Sequence, residues 1–198
     1  MLNIVRSEQL DMEERAFEWN GKRYELNFTY DNILRFFQLL DDDSLNKYEK
    51  ISLQFQLLVG EGLQVPLEKM IDVIEYAANL ISESSYQPTA SNPVKMFDYE
   101  QDSEAIYASF LQQYGIDLIK EKGKLDYFKF RALFTNLSSN TPFQQIVHIR
   151  SKDPSKHIED REYVQQLNIQ QQTFAVRKTP EEIETEKQAQ LGAALSNL

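Results

Sequence analysis

The chain has 198 residues, 41% of them hydrophobic and 12% aromatic, with six Gly, six Pro and no Cys. This is enough for a sizeable core, in one domain with an appendage or in two small domains, and the lack of Cys excludes a disulfide framework, a zinc–thiolate centre and a thiol nucleophile. The formal net charge of −10 argues against partners that attract Lys and Arg, whether nucleic-acid phosphates or an anionic membrane surface.

The opening MLNIVRSEQLDMEERAF lacks the apolar core of a signal peptide. No later run approaches transmembrane length. Residues 1–15 read as a loose lead-in. A hairpin is expected over 16–28: Phe17-Glu18-Trp19, the turn pair Asn20-Gly21, then Tyr24-Glu25-Leu26-Asn27-Phe28. Asn-Gly supplies the positive φ angles of a tight turn. Alternation puts Phe17 with Trp19, and Tyr24 with Leu26 and Phe28. A lone hairpin is marginal, so this aromatic face is expected to cover helices.

Helix one follows Thr29 as cap, with Tyr30, Ile33, Leu34, Phe37 and Leu40 as its stripe. Asp41-Asp42-Asp43-Ser44 lacks the alternating ligands and turn Gly of a calcium loop. It reads as an exposed connection with Ser44 as the next cap. Helix two spans 46–59 with Tyr48, Ile51, Phe55 and Leu58 on one side, and ends at Gly60 and Gly62. Helix three starts at Pro66. Leu67, Met70, Ile71, Ile74, Ala77, Ala78 and Ile81 recur at helical spacing, the pattern of core packing.

Residues 82–93 (SESSYQPTASNP) are a loop by composition. Helix four is expected over 98–114, capped by Asp98 and striped by Ile106, Tyr107, Phe110, Leu111 and Tyr114, with Gly115 ending it. Residues 116–119 form a short apolar turn, and 120–124 a Gly/Lys break. The block 125–137 is apolar on two sides, with Tyr127, Phe130, Phe134 and Leu137 on one and Leu125, Phe128, Ala132 and Leu133 on the other. A helix of that kind is buried, which places it at the centre of the core. Thr141-Pro142 opens a helix lined by Phe143, Ile146, Val147 and Arg150. After an interruption at 151–154, a polar helix over 155–172 carries Ile158, Tyr163, Val164 and Leu167. The segment 179–198 starts with Thr-Pro and two Glu but has a thin stripe. It reads as a flexible tail or one that orders on a partner.

The expected fold is mainly α, a multi-helix bundle with a small N-terminal β-hairpin. Its divisions are 1–81 (hairpin plus helices), 82–96 (loop or hinge), 97–175 (helical core) and 176–198 (tail).

No catalytic, cofactor or metal residue emerges. His148 and His157 lack metal-ligand spacing, and no nucleophile elbow or phosphate loop is present. Asp98, Glu100, Asp102 and Glu104 splay round a helix start and read as a solvated face favoured by the helix dipole. The aromatic surplus lacks interleaved basic residues, so core packing explains it better than base stacking.

Five motifs then carry a resemblance. They are Phe97-Asp98-Tyr99-Glu100-Gln101-Asp102, Ile106-Tyr107-Ala108-Ser109-Phe110, Tyr114-Gly115-Ile116-Asp117-Leu118, Phe128-Lys129-Phe130-Arg131-Ala132-Leu133 and Ile149-Arg150-Ser151-Lys152-Asp153. With looser likeness at Asn20-Gly21, Asn27-Phe28-Thr29 and Glu49-Lys50-Ile51, residues 17–175 resemble the bacteriophage gene-product-fifteen family of siphophages and prophages of Gram-positive bacteria. The resemblance implies a non-enzymatic tail assembly chaperone without cofactors. Such a protein would coat and solubilise the tape measure protein and help recruit tail-tube subunits. Implied partners are the tape measure protein, the major tail protein and further copies of the chain, with no nucleic acid and no membrane. The implied location is the host bacterial cytoplasm, with absence from the mature virion. No binding residues carry over. The alternatives are another acidic helical adaptor or scaffold in virion assembly and, more distantly, a carboxylate-metal enzyme.

Overall fold

A computed structural model of the chain describes residues 15–82, 95–157 and 159–177. The predicted lead-in up to residue 14, the loop at 83–94, Ile158 and the tail at 178–198 lie outside the described residues.

The mainly α fold with one N-terminal hairpin read from the sequence is the fold observed. Strand β1 (Ala16–Trp19) pairs antiparallel with β2 (Lys22–Glu25), with Phe17 opposite Tyr24 and Trp19 opposite Lys22. Asn20 and Gly21 have φ of 50° and 72°, the two left-handed positions that a two-residue turn needs to match strand twist. Helices α1 (Tyr30–Leu40), α2 (Lys47–Val59), α3 (Leu67–Ser82), α4 (Ser103–Tyr114), α5 (Tyr127–Thr135), α6 (Pro142–Ser151) and α7 (Arg161–Thr173) follow, with a 3-10 turn at Pro154–His157 before α7.

Contacts divide the chain into two compact units, Met1–Ser91 with Phe110–Leu137, and Asn92–Ser109 with Ser138–Leu198. The grouping differs from a simple division into 1–81 and 97–175, because α5 clusters with the N-terminal elements. In the first unit the chain segments entering α1 and α5 pair with each other. Thr29 bridges Asp126, the Tyr30 N–H donates to the Leu125 carbonyl at 2.8 Å, and the Tyr127 N–H donates to the Phe28 carbonyl at 2.8 Å. Both helices therefore start from one short antiparallel contact, which sets Tyr30 beside Phe130. Phe130 is fully buried and stacks on Tyr30 (5.0 Å between centroids), Phe110 (5.1 Å) and Phe134 (5.8 Å). Phe128 and Leu137 are buried too, as the two-sided reading of 125–137 requires, although Ala132 is exposed. The hairpin covers a helix as expected, with Phe17 edge-on to Phe55 of α2 at 6.1 Å.

Some stripes are rotated from their expected positions. In α1 the buried residues are Tyr30, Asn32, Ile33 and Phe36, leaving Leu40 53% exposed. Asn32 is held by donating to the Asn27 and Leu57 carbonyls, which satisfies its buried amide. In α2 Phe55 and Leu58 are buried but Tyr48 is 60% exposed. In α3 the buried line is Val73, Ala77 and Ile81, and Leu67 is exposed. The cap of α2 is Asn46, not Ser44. Asn46 and Glu49 form a reciprocal capping box, whereas the N–H and hydroxyl of Ser44 both donate to the Asp42 carboxylate. Those bonds hold Asp42 below the usual carboxylate range.

In the second unit, the helix expected from Asp98 begins at Ser103. The Asp98 carboxylate accepts the N–H groups of Glu100 and Gln101 and holds a separate turn first. The helix expected over 155–172 is broken. Asp153 accepts the N–H and hydroxyl of Ser155 as the 3-10 turn starts, and Asp160 caps α7 anew by accepting the Tyr163 N–H. Among the described members of its expected stripe, Leu167 is buried and Tyr163 and Val164 are half-buried. Thr141 and Pro142 open α6 as predicted, but the Thr141 side chain makes no cap bond.

Candidate binding surface

The acidic series near the start of α4 is not all solvated. Asp102 is buried, and its carboxylate accepts both Nη1 (2.7 Å) and Nη2 (2.8 Å) of Arg150 from α6. The backbone N–H of Asp98 donates to the same carboxylate at 3.0 Å. Arg150 also donates through Nε to the Phe174 carbonyl and through Nη1 to the Met96 carbonyl. The planar guanidinium suits this fork. Gln101 extends the tie by donating to the Ala175 carbonyl and accepting the Arg177 N–H, each at 2.8 Å. These charges are spent on structure: the hub joins the segment before α4 to the segment after α7.

A second buried device is Ser109. Its hydroxyl donates to the Ala105 carbonyl at 2.6 Å and accepts the Phe143 N–H at 3.0 Å. It therefore meets an orphan donor at the start of α6, while Thr141 turns its hydroxyl to the Ser138 carbonyl.

A shallow cleft of about 220 Å³ lies in the first unit, lined by Arg15, residues 25–29, Lys124 and Asp126. Arg15 is ion-paired with Asp126, and its guanidinium lies over the rings of Phe28 (5.6 Å) and Phe128 (4.9 Å). Asp126 also caps α5 by accepting the Phe128 N–H. No nucleophile–base pair lines this cleft. Among the described residues no group of three or more His, Asp or Glu is placed to hold a metal. His148 is exposed on α6, and His157 ends the 3-10 turn.

Several large apolar side chains among the described residues are exposed. Leu40 ends α1, while Tyr48 and Leu53 (37% exposed) are on α2. The exposed carboxylates Asp41, Asp43 and Glu49 accompany them in sequence. No helix among the described residues is long and apolar enough to cross a membrane.

A family model described as Bacteriophage Gp15 protein matches residues 11–175. That span contains every motif on which the sequence resemblance rests. Comparison with curated proteins and with solved structures gives no significant match. With most of its length covered by one family model, the chain belongs to the bacteriophage Gp15 protein family.

Proposed function

We propose that this phage protein is a non-enzymatic tail assembly chaperone. Family membership supports the coarser reading, a structural or assembly protein of a bacteriophage, and is the observation that carries the proposal. In the finer reading the protein binds the tape measure protein, keeps it soluble and helps recruit tail-tube subunits. It acts in the cytoplasm of a Gram-positive host and leaves before the virion is complete. The exposed apolar residues of α1 and α2 suit that role. A tape measure is a long apolar-striped helix, and a groove holds such a helix by its i, i+3, i+4 side chains. Apolar burial dominates the affinity. The net charge of −10 steers encounter and rejects wrong partners, so added salt slows association while leaving most of the complex intact.

The test is co-expression of the two proteins, followed by a solubility assay and a pull-down. A tape measure that becomes soluble and co-purifies supports the reading. A tape measure equally insoluble with and without this protein, and never co-purifying, overturns it.

A further inference from the structure

Ile119 is 64% exposed, although the adjacent Leu118 is buried. The turn that carries Ile119 is firmly built. The Asp117 carboxylate accepts the N–H groups of Ile119 and Lys120, and the Leu118 carbonyl accepts the Tyr30 hydroxyl at 2.6 Å. The Gly123 N–H donates to the Asp31 carboxylate at 2.9 Å. Exposure here is therefore imposed by the backbone. Around Ile119 stand the exposed Lys120, Lys122 and Lys124; Lys120 is ion-paired with the half-buried Asp117 at 3.2 Å, the Lys124 ammonium donates to the Lys120 carbonyl, and Glu121 is half-buried. In a chain of net charge −10, this is a cationic tip with an apolar point.

The matching surface is on the chain itself. Glu68, Asp72 and Glu75 are exposed on α3, with Tyr76 (40% exposed) beside them. Their spacing puts them along one face over about 10 Å. Three carboxylates and an aromatic ring there complement the lysine ammonium groups, one of them shared with Asp117, and the isoleucine on the turn.

We infer that the Ile119 tip docks on the α3 face of a second copy of this chain. The rigid turn lowers the entropy lost on binding, Ile119 and Tyr76 form the apolar centre, and the lysines and carboxylates set the register. The net negative charge disfavours the competing reading of the tip as a membrane anchor. The contact joins two different patches, so it closes into a pair or repeats head to tail.

The inference goes beyond the tape measure reading and is tested on the protein alone. Sedimentation velocity of the full chain is followed over a concentration series at low and high salt. Mass rising with concentration and falling with salt is expected. Ile119→Asp, the triple change Lys120→Glu/Lys122→Glu/Lys124→Glu, and the triple change Glu68→Lys/Asp72→Lys/Glu75→Lys should each weaken association roughly tenfold or more, with unchanged circular dichroism. Mixing the two triple variants should restore it, since each then meets a complementary patch. A wild type that stays monomeric at low salt overturns the inference. So do variants that associate like the wild type, a mixture that fails to recover, or a monomer whose tip binds anionic vesicles.

Discussion

Arg150 and Asp102, 48 residues apart, lie fork to fork with their side chains 6% and 4% exposed. Such a pair matters most when it is broken, because the remaining charge stays buried without its counter-ion. Asp102→Leu or Arg150→Met is expected to cost about 3–5 kcal/mol, and the two changes together markedly less than the sum of the single ones. Urea unfolding of the four proteins closes the cycle; additive losses would show that the two groups are not coupled.

Ser109→Ala removes a single oxygen but strands the Phe143 N–H, whose acceptor it is. A loss of about 1–3 kcal/mol is expected in the same assay. A change below about 0.5 kcal/mol would mean that α6 draws its first bond from elsewhere.

Phe130→Ala should cost about 3–5 kcal/mol, because the ring is fully buried against the rings of Tyr30, Phe110, Tyr127 and Phe134. Leu40→Ala, at a 53% exposed position, should stay within about 0.5 kcal/mol. Thermal melts of the two variants should separate them clearly.

Burial pushes the Tyr30 hydroxyl up to about 12, helped by the nearby carboxylates of Asp31, Glu121 and Asp117. Between pH 10 and about 12 the unfolded chain loses this proton while the folded chain keeps it. Stability from this group is therefore whole below pH 10 and falls as pH rises. Burial raises Tyr127 and Tyr114 in the same direction. Urea unfolding along an alkaline series should show the decline, and Tyr30→Phe should make it shallower. An unchanged slope in that variant would remove Tyr30 from the account.

Helix positions were legible because their signals are local: Pro66 before α3, Thr141-Pro142 at α6, Asn20-Gly21 in the hairpin. The centre of each buried arc was not. The α3 arc is apolar over so wide an angle that hydropathy alone does not single out Val73. Asp102 sat in a row of alternating acids and looked solvated; its partner is on another helix. One clue was present, since Arg150 falls in line with Phe143, Ile146 and Val147, and a charge on an apolar stripe demands a buried partner. The tip proposed to dock is hidden for a different reason. Leu118 and Ile119 look alike in sequence, and only the hydrogen-bonded turn decides which of them faces water.

The first unit is assembled from two separated stretches of chain, and this has a consequence for synthesis on the ribosome. Tyr30, Ile33 and Phe36 emerge about a hundred residues before Phe134 completes the stack around Phe130. At roughly 5–20 residues per second, that is about 5–20 s. For that interval the aromatic face that Phe130 and Phe134 cover stays open on the nascent chain, and apolar surface is exposed until the second stretch is made.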